Sequence, residues 1–214
     1  MTHTITHHLT DDLILGYSAG TLPEAVNLVI ATHISMCDTC RAALHAQDAV
    51  GGALVEAAPP ASLAMGSLAS VLARIQSAPA PEPRVKPRGD VPAPLTDYIG
   101  ATLADVKWRP VGMGVKQAVL RTSPEATARL LYIPAGTAVP DHGHNGLELT
   151  LVLQGAFSDE GGTFRAGDIE VAGDDLEHTP VADISADCIC LAVTDAPLRF
   201  KGWLPRLAQP FVGI

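Results

Sequence analysis

The sequence predicts a two-domain α + β protein, in which a small four-helix bundle is followed by an antiparallel β-barrel. Up to residue 78, apolar side chains recur about every 3.6 positions, as in amphipathic helices. Beyond residue 95, short runs rich in Leu, Val and Ile alternate with Gly, Pro and Asp turns, as in an antiparallel barrel or sandwich. The intervening residues 79–94 contain six prolines and predict an extended linker. We therefore expect domains at 1–78 and 95–214.

Four segments carry the helical period in the N-terminal region: 9–20, 21–35, 39–57 and 67–75. We expect Thr21 to cap the second helix and Asp38 to cap the third. A bundle of four short helices buries little apolar area and often needs an additional staple, such as a bound metal.

The C-terminal region contains five strand-like runs, which Gly, Pro and Asp turns separate at intervals of about 8–12 residues. These runs are residues 128–136, 147–157, 162–173, 186–193 and 196–203. Short strands at such regular spacing predict antiparallel pairing.

Charge and hydropathy argue against direct nucleic-acid binding and against insertion into a membrane. The chain has 214 residues and a net charge of -9, divided as -4 over 1–78, +1 over 79–94 and -6 over 95–214. An acidic chain is poorly suited to bind nucleic acid directly, because that affinity depends on Lys and Arg neutralising phosphates. No apolar run approaches the roughly 20 residues of a membrane span, and the first residues lack the features of a signal peptide. We therefore expect a cytoplasmic protein whose partners are proteins or small ligands.

The stretch HISMCDTC brings three soft metal ligands close together: His33, Cys37 and Cys40. A Cys-x-x-Cys pair can hold one metal across a turn, and a histidine four residues earlier lies on the same helical face. These residues provide three of the four ligands of a tetrahedral zinc site. Two alternatives remain: a redox-active thiol pair, which is typical of a βαβ context, or two buried cysteines without a metal.

The fourth ligand of this site is expected from an upstream histidine. His45 is disfavoured, because it lies five residues after Cys40 on one helix and so points in another direction. His8 is preferred, since it stands where the chain can fold back over the bundle at the start of the first helix. His7 and His3 remain open.

A second group of potential ligands lies in the barrel region. His142 and His144 are two residues apart, so their side chains face the same way in an extended strand, and Glu148 follows in register. His178 is the remaining histidine of this half. Three imidazoles and a carboxylate suit zinc, iron, manganese or nickel, whereas a metal-free barrel would hold these side chains as polar core residues.

Cys188 and Cys190 form a second close pair of thiols. In a strand their side chains share one face, and their Cα separation of about 6.5–7 Å is at the limit for a disulfide. They are either small buried hydrophobic residues or an oxidant-sensing pair.

Both halves resemble known families. A short helical region with H-x3-C-x2-C and an upstream histidine resembles the zinc-binding anti-sigma domain. The spacing G-x5-H-x-H-x3-E-x6-G, from Gly136 to Gly155, matches the first motif of the cupin family. The second cupin motif is matched at Gly167 and His178 but departs from the family pattern at three other positions, Gly173, Asp175 and Ala182.

The order of these parts resembles the ChrR-type anti-sigma factors, which restrain an extracytoplasmic-function sigma factor and are not enzymes. The resemblance implies one zinc at His8, His33, Cys37 and Cys40 and a second zinc at a cupin site made of His142, His144, Glu148 and His178. It also implies a sigma factor as protein partner and release when the cupin senses singlet oxygen. Neither nucleic acid nor a membrane is expected as a direct partner.

Two other functions remain open from the sequence. One is a metal-dependent cupin enzyme, such as an Fe(II) dioxygenase or an isomerase, with an N-terminal regulatory module. The other is a cupin that binds a small molecule and so regulates the N-terminal half. The His/Cys motif and the altered second cupin motif favour the regulator over the enzyme.

Overall fold

A computed structural model of the chain describes residues 4–79, 89–173 and 176–200. His3, Asp175 and most of the predicted linker, residues 80–88, lie outside the described residues. The five α-helices among the described residues are α1 Asp11–Ser18, α2 Glu24–Met36, α3 Asp38–Ala57, α4 Ser67–Ser77 and α5 Thr96–Ile99. Two short 3-10 helices, Ala93–Leu95 and Leu103–Asp105, flank α5.

The first four helices coincide with the four predicted segments, but two of the predicted caps are wrong. Pro23 occupies the N-cap of α2, while the Thr21 hydroxyl donates to the Gly16 carbonyl instead. Helical backbone is disfavoured for Leu22 because a proline follows it, so α2 does not begin earlier. Cys37 caps α3 through its sulfur, which accepts from the Cys40 backbone N–H, and Asp38 lies in the first turn. The first cysteine therefore also fixes the start of α3.

The part of the chain that the structure describes continues with twelve short strands, which form three sheets whose pairings are all antiparallel, as predicted. The strands are β1 Arg109–Gly112, β2 Val115–Val119, β3 Thr127–Ile133, β4 His142–Gly143, β5 Glu148–Gln154, β6 Ala156–Asp159, β7 Gly162–Arg165, β8 Ile169–Ala172, β9 Glu177–His178, β10 Val181–Ala182, β11 Cys188–Thr194 and β12 Arg199–Phe200. The largest sheet has the order β1-β2-β3-β11-β5-β8, and the smaller sheets have the orders β10-β6-β7 and β12-β4-β9.

The N-terminal helices pack on the large sheet as well as on each other. Helix α2 contacts α1 and α3 on one side and strands β3, β5 and β11 on the other. Its buried residues Val29 and Ile30 belong to one apolar cluster with Leu149 and Leu191 of the sheet. The barrel therefore supplies much of the core that the short helices cannot provide among themselves.

The predicted four-helix bundle is incomplete. Helices α1, α2 and α3 pack together, but α4 buries none of its residues against the described chain, and only Ser67 is partly covered. The distal half of α3, from Asp48 onward, is likewise exposed. The apolar period of α4 predicted a helix correctly but did not indicate which surface covers it.

Among the described residues, no helix combines the length and the apolar character that crossing a bilayer requires.

Candidate metal centres

The helical cluster consists of His8, His33, Cys37 and Cys40, whose ligand atoms all lie within 4.8 Å of one another. His8 precedes α1, His33 is in the last turn of α2, and the two cysteines flank the start of α3. All but His8 are buried. The cluster thus joins the first three helices at one point.

The interatomic distances in this cluster fit a tetrahedral metal. His8 Nδ1 lies 3.3 Å from Cys37 Sγ and 3.7 Å from Cys40 Sγ, and His33 Nε2 lies 3.2 Å from Cys40 Sγ. Tetrahedral zinc with its usual bond lengths separates sulfur and nitrogen ligands by about 3.5 Å. The four side chains are therefore already close to the arrangement that a zinc ion requires.

Burial also affects the protonation of two of these ligands, His33 and Cys40. It lowers the pKa of His33 to about 4, so the imidazole is neutral at neutral pH and has a lone pair to offer. Burial raises the pKa of the Cys40 thiol to about 11, so a thiolate at this position needs a nearby cation. A divalent metal meets that need.

The other N-terminal histidines lie elsewhere. The His7 ring packs on Phe164 of the barrel, with 4.3 Å between the ring centroids. His45 is exposed on α3 and does not take part in the cluster. Among the described histidines of the N-terminal region, the structure thus brings His8 and His33 to the two cysteines.

The barrel cluster brings together three of the four predicted ligands, His142, His144 and His178. Strands β4 and β9 pair so that His142 and His178 face each other, with 3.2 Å between their Nε2 atoms. All three imidazoles are buried. Cross-strand register therefore unites ligands that lie 36 residues apart in the sequence.

His144 gives the best indication that this group fits a metal. Its side chain is only 2% exposed, and its Nε2 forms no hydrogen bond with a described residue, while Nδ1 lies beside the Glu148 carboxylate. Leaving the buried Nε2 unsatisfied costs free energy, and coordination to a metal would remove that cost. Glu148, the fourth predicted ligand, lies beside His144, with 3.0 Å between its Oε2 and Nδ1 of the ring, but is not part of the convergent group of three.

Two carboxylates that the sequence did not single out hold His178. Its Nδ1 lies 2.6 Å from Asp159 Oδ2 and 3.3 Å from Glu170 Oε1. Burial would lower the pKa of His178, but its hydrogen bonds to Glu170 and Asp159 raise it to about 9, while burial raises the pKa of Glu170 to about 7. The carboxylates keep a proton on Nδ1, which leaves Nε2 as the nitrogen facing His142. Glu170 could have been suspected from its inward position in β8, whereas nothing local distinguishes Asp159.

A cavity of about 420 Å³ adjoins this cluster inside the barrel. His142, Glu148 and His178 line one part of it, and apolar side chains such as Leu131 and Phe157 line much of the rest. Among the described residues that line the cavity, Arg129 is the one Arg or Lys side chain, and it is buried. The space could admit a small molecule to the cluster.

Cys188 and Cys190 are free thiols in β11, both buried, with 3.5 Å between their sulfur atoms. Cys190 also lines the cavity. Its hydrogen bond with Cys188 and its burial raise the pKa of the Cys190 thiol. Cys190 is therefore held protonated, and the two thiols lie close together next to the barrel cluster.

Comparisons with known proteins identify relatives of this chain. The family described as "ChrR Cupin-like domain" matches residues 97–197. The anti-sigma-E factor ChrR of Cereibacter sphaeroides is 61% identical over 214 residues, which covers 99% of this chain and 100% of that protein. The ChrR chain in a crystal structure of Rhodobacter sphaeroides SigE in complex with the anti-sigma ChrR is 59% identical, with a TM-score of 0.81, and the match covers 89% of this chain and 99% of that chain.

Proposed function

The chain belongs to the ChrR family of anti-sigma factors, and on this premise we propose that it binds and inhibits an extracytoplasmic-function sigma factor through its N-terminal helices. The ChrR relative in the crystal structure forms a complex with SigE. We place the binding function in residues 1–78, treat 79–94 as a linker, and assign sensing to 95–214. A sigma-factor inhibitor acts where RNA polymerase acts, so the proposed location is the cytoplasm.

An uncovered apolar surface on α3 and α4 is the observation that carries this proposal. Among the described residues, nine of the fourteen exposed large apolar side chains lie between positions 50 and 75. They are Val50, Leu54, Val55, Leu63, Met65, Leu68, Val71, Leu72 and Ile75. Such a concentration is unusual for a surface that faces only water and typically marks a protein interface.

The spacing on α4 identifies the shape of this surface. Leu68, Val71, Leu72 and Ile75 follow the i, i+3, i+4, i+7 pattern of one helical face, and all four are exposed. An isolated helix of 11 residues is marginal in water, so α4 gains from packing this face on a partner. The sigma factor is the proposed partner for that face.

The helical cluster supports the binding surface in this proposal. A zinc ion at His8, His33, Cys37 and Cys40 would join α1, α2 and α3 and fix the direction in which α3 leaves the barrel. A structural zinc supplies folding free energy outright and needs no open coordination position. The net charge of -4 over residues 1–78 adds electrostatic attraction to a basic, DNA-binding target.

The barrel cluster is the proposed sensor. His142, His144 and His178, with Glu148 beside them, would hold a second zinc, which is redox-inert and keeps the ligands in place. Singlet oxygen reacts with imidazoles and thiols, and both line the cavity, at His142 and at Cys190. Oxidation of these groups would disturb the barrel and shift the chain towards release of the sigma factor.

The test is run-off transcription with purified RNA polymerase, the SigE protein that the ChrR relative binds, and the full-length chain. Replacing two residues of the apolar face, Leu68→Asp with Leu72→Asp, should weaken inhibition by at least about tenfold, because apolar anchors dominate interface energies. The matched control is Ser70→Asp with Ala73→Asp, which adds the same two negative charges on the opposite face of α4.

Inhibition by the control should stay within about threefold of the unmodified chain. Because the replaced residues are exposed, both variants should keep the helical content measured by circular dichroism. If Leu68→Asp with Leu72→Asp inhibits transcription as well as the control does, the apolar face of α4 is not the binding surface. If the unmodified, metal-loaded chain does not inhibit at all, the proposed function is wrong for that sigma factor.

A further inference from the structure

The turn between β7 and β8 reaches out of the barrel to the helical cluster. The carbonyl of Gly167 lies 3.0 Å from Nδ1 of His33, and both groups are buried. A carbonyl only accepts hydrogen bonds, so Nδ1 of His33 must carry the proton. The other nitrogen, Nε2, is therefore the one with a lone pair, and it faces Cys40. The barrel thus sets both the tautomer and the orientation of a ligand that belongs to the helices.

Asp168, the next residue of this turn, holds the segment that leads to His8. Its side chain is 0% exposed, and Oδ1 accepts from the backbone N–H groups of Thr6 at 2.7 Å and His7 at 3.0 Å. Its other oxygen accepts from the backbone N–H of Arg165 at 2.9 Å. The carboxylate therefore fixes the backbone immediately before His8, the ligand of the cluster that precedes the first helix.

The backbone of Gly167 allows this close approach. Its φ is +95°, and a Cβ at this position would lie 2.6 Å from Cδ1 of Ile5. Both the left-handed conformation and the contact exclude larger residues. Residues 5–7 consequently lie directly on the turn, and the ring of His7 packs on Phe164 just before it.

We propose that the Gly167–Asp168 turn of the barrel is the positioning element of the helical metal cluster. It orients His33 through the Gly167 carbonyl and His8 through the Asp168 carboxylate. The two cysteines need no such support, because the junction of α2 and α3 holds them. The inference rests on the proposed metal binding of the cluster, and groups that orient metal ligands in this way typically contribute about 10–100-fold to metal affinity.

The same turn connects the two clusters. Glu170 follows Asp168 by two residues in β8, and its carboxylate lies 3.3 Å from Nδ1 of His178 in the barrel cluster. A displacement of His178 can therefore shift Glu170 and β8, and with them the turn that contacts His33 and the segment before His8. We therefore expect loss of the barrel cluster to weaken metal binding at the helical cluster severalfold, which leaves a tightly bound structural metal in place.

The experiment uses the full-length chain with Co²⁺ as a spectroscopic probe. Thiolate-bound cobalt has an intense ultraviolet charge-transfer band, and the part that disappears in Cys37→Ala belongs to the helical cluster. Chelator competition followed at this band should show about 10–100-fold weaker binding in Asp168→Asn. The visible ligand-field bands should change as well, because His8 leaves the metal. A merely structural role for Asp168 would not change these bands.

The matched control is Asp187→Asn. Asp187 also accepts a backbone N–H, that of Ala135, and a hydroxyl, that of Tyr132, but both contacts lie within the barrel. Its cobalt affinity and spectrum should equal those of the unmodified chain. If Asp168→Asn shows an unmodified affinity and spectrum, the positioning role is overturned.

A second variant covers the case in which Asp168→Asn does not fold. Ile5 lies outside the barrel, and Ile5→Ala removes the apolar contact that keeps residues 5–7 on the turn. It should weaken cobalt binding severalfold, and an unchanged affinity would count against the proposal.

The coupling is tested with His178→Ala, alone and combined with Asp168→Asn. His178→Ala should accelerate cobalt loss from the helical cluster in the unmodified background and add little in the Asp168→Asn background. Equal acceleration in both backgrounds would overturn the route through the turn. These measurements need no sigma factor, so their outcome is independent of whether the chain inhibits transcription.

Discussion

The helical cluster and the barrel cluster differ in their ligands and in their surroundings. The helical cluster combines two thiols with two imidazoles, a complete tetrahedral set. The barrel cluster combines three imidazoles, has carboxylates behind one of them, and adjoins a cavity of about 420 Å³. Four protein ligands suit a structural metal, whereas a site with fewer ligands beside a cavity leaves room for a small molecule. This difference supports the proposal that the helical cluster is a structural metal site and the barrel cluster the sensor.

The largest effect should come from breaking the helical cluster. Cys37→Ala with Cys40→Ala should remove one metal per chain and weaken inhibition of transcription by at least about 100-fold, because structural zinc sites contribute about 10–16 kcal/mol in zinc-finger peptides. Metal content per chain and run-off transcription measure the two results.

The matched control for this prediction is Cys188→Ser with Cys190→Ser, which also removes two buried thiols. Its metal content should stay unchanged, and so should its inhibition of transcription without oxidant. If the control loses as much inhibition as Cys37→Ala with Cys40→Ala does, inhibition does not depend specifically on the helical cluster.

A smaller effect should follow from loosening the barrel cluster. Asp159→Asn weakens the contact to Nδ1 of His178, so metal affinity at the barrel cluster should fall by about 10–100-fold while inhibition of transcription without oxidant is retained. Chelator competition with metal analysis gives the affinity. The control is Glu177→Gln, an exposed carboxylate next to His178 in the chain. If both variants keep the original affinity, Asp159 does not support the site.

Local patterns predicted the parts of the molecule that depend on neighbouring residues. The helical period located α1 to α4, and the spacing of HISMCDTC and of His142 and His144 indicated two groups of ligands. His178 was found because few histidines remained, and the structure pairs it with His142 across β4 and β9.

Contacts between distant residues could not be predicted in this way. Asp168 and Thr6 are 162 residues apart, and the AGD sequence around Asp168 resembles an ordinary turn. Likewise, the apolar face of α4 indicated that another surface covers it. The prediction therefore placed α4 in a four-helix bundle. In the structure that face is exposed, because an amphipathic pattern specifies a need for burial but not the partner.

In the proposed division of roles, the barrel cluster is needed for the response to singlet oxygen and the helical cluster for inhibition. The decisive variant is His142→Ala combined with His144→Ala, in cells that carry a reporter for the sigma factor and a photosensitiser that generates singlet oxygen in light. Immunoblots confirm equal amounts of the chain. With this variant the reporter should stay silent in the dark and in light, whereas with the unmodified chain light should induce it. A reporter that is active in the dark, or that light induces as strongly as with the unmodified chain, would show that the two clusters do not have these separate roles.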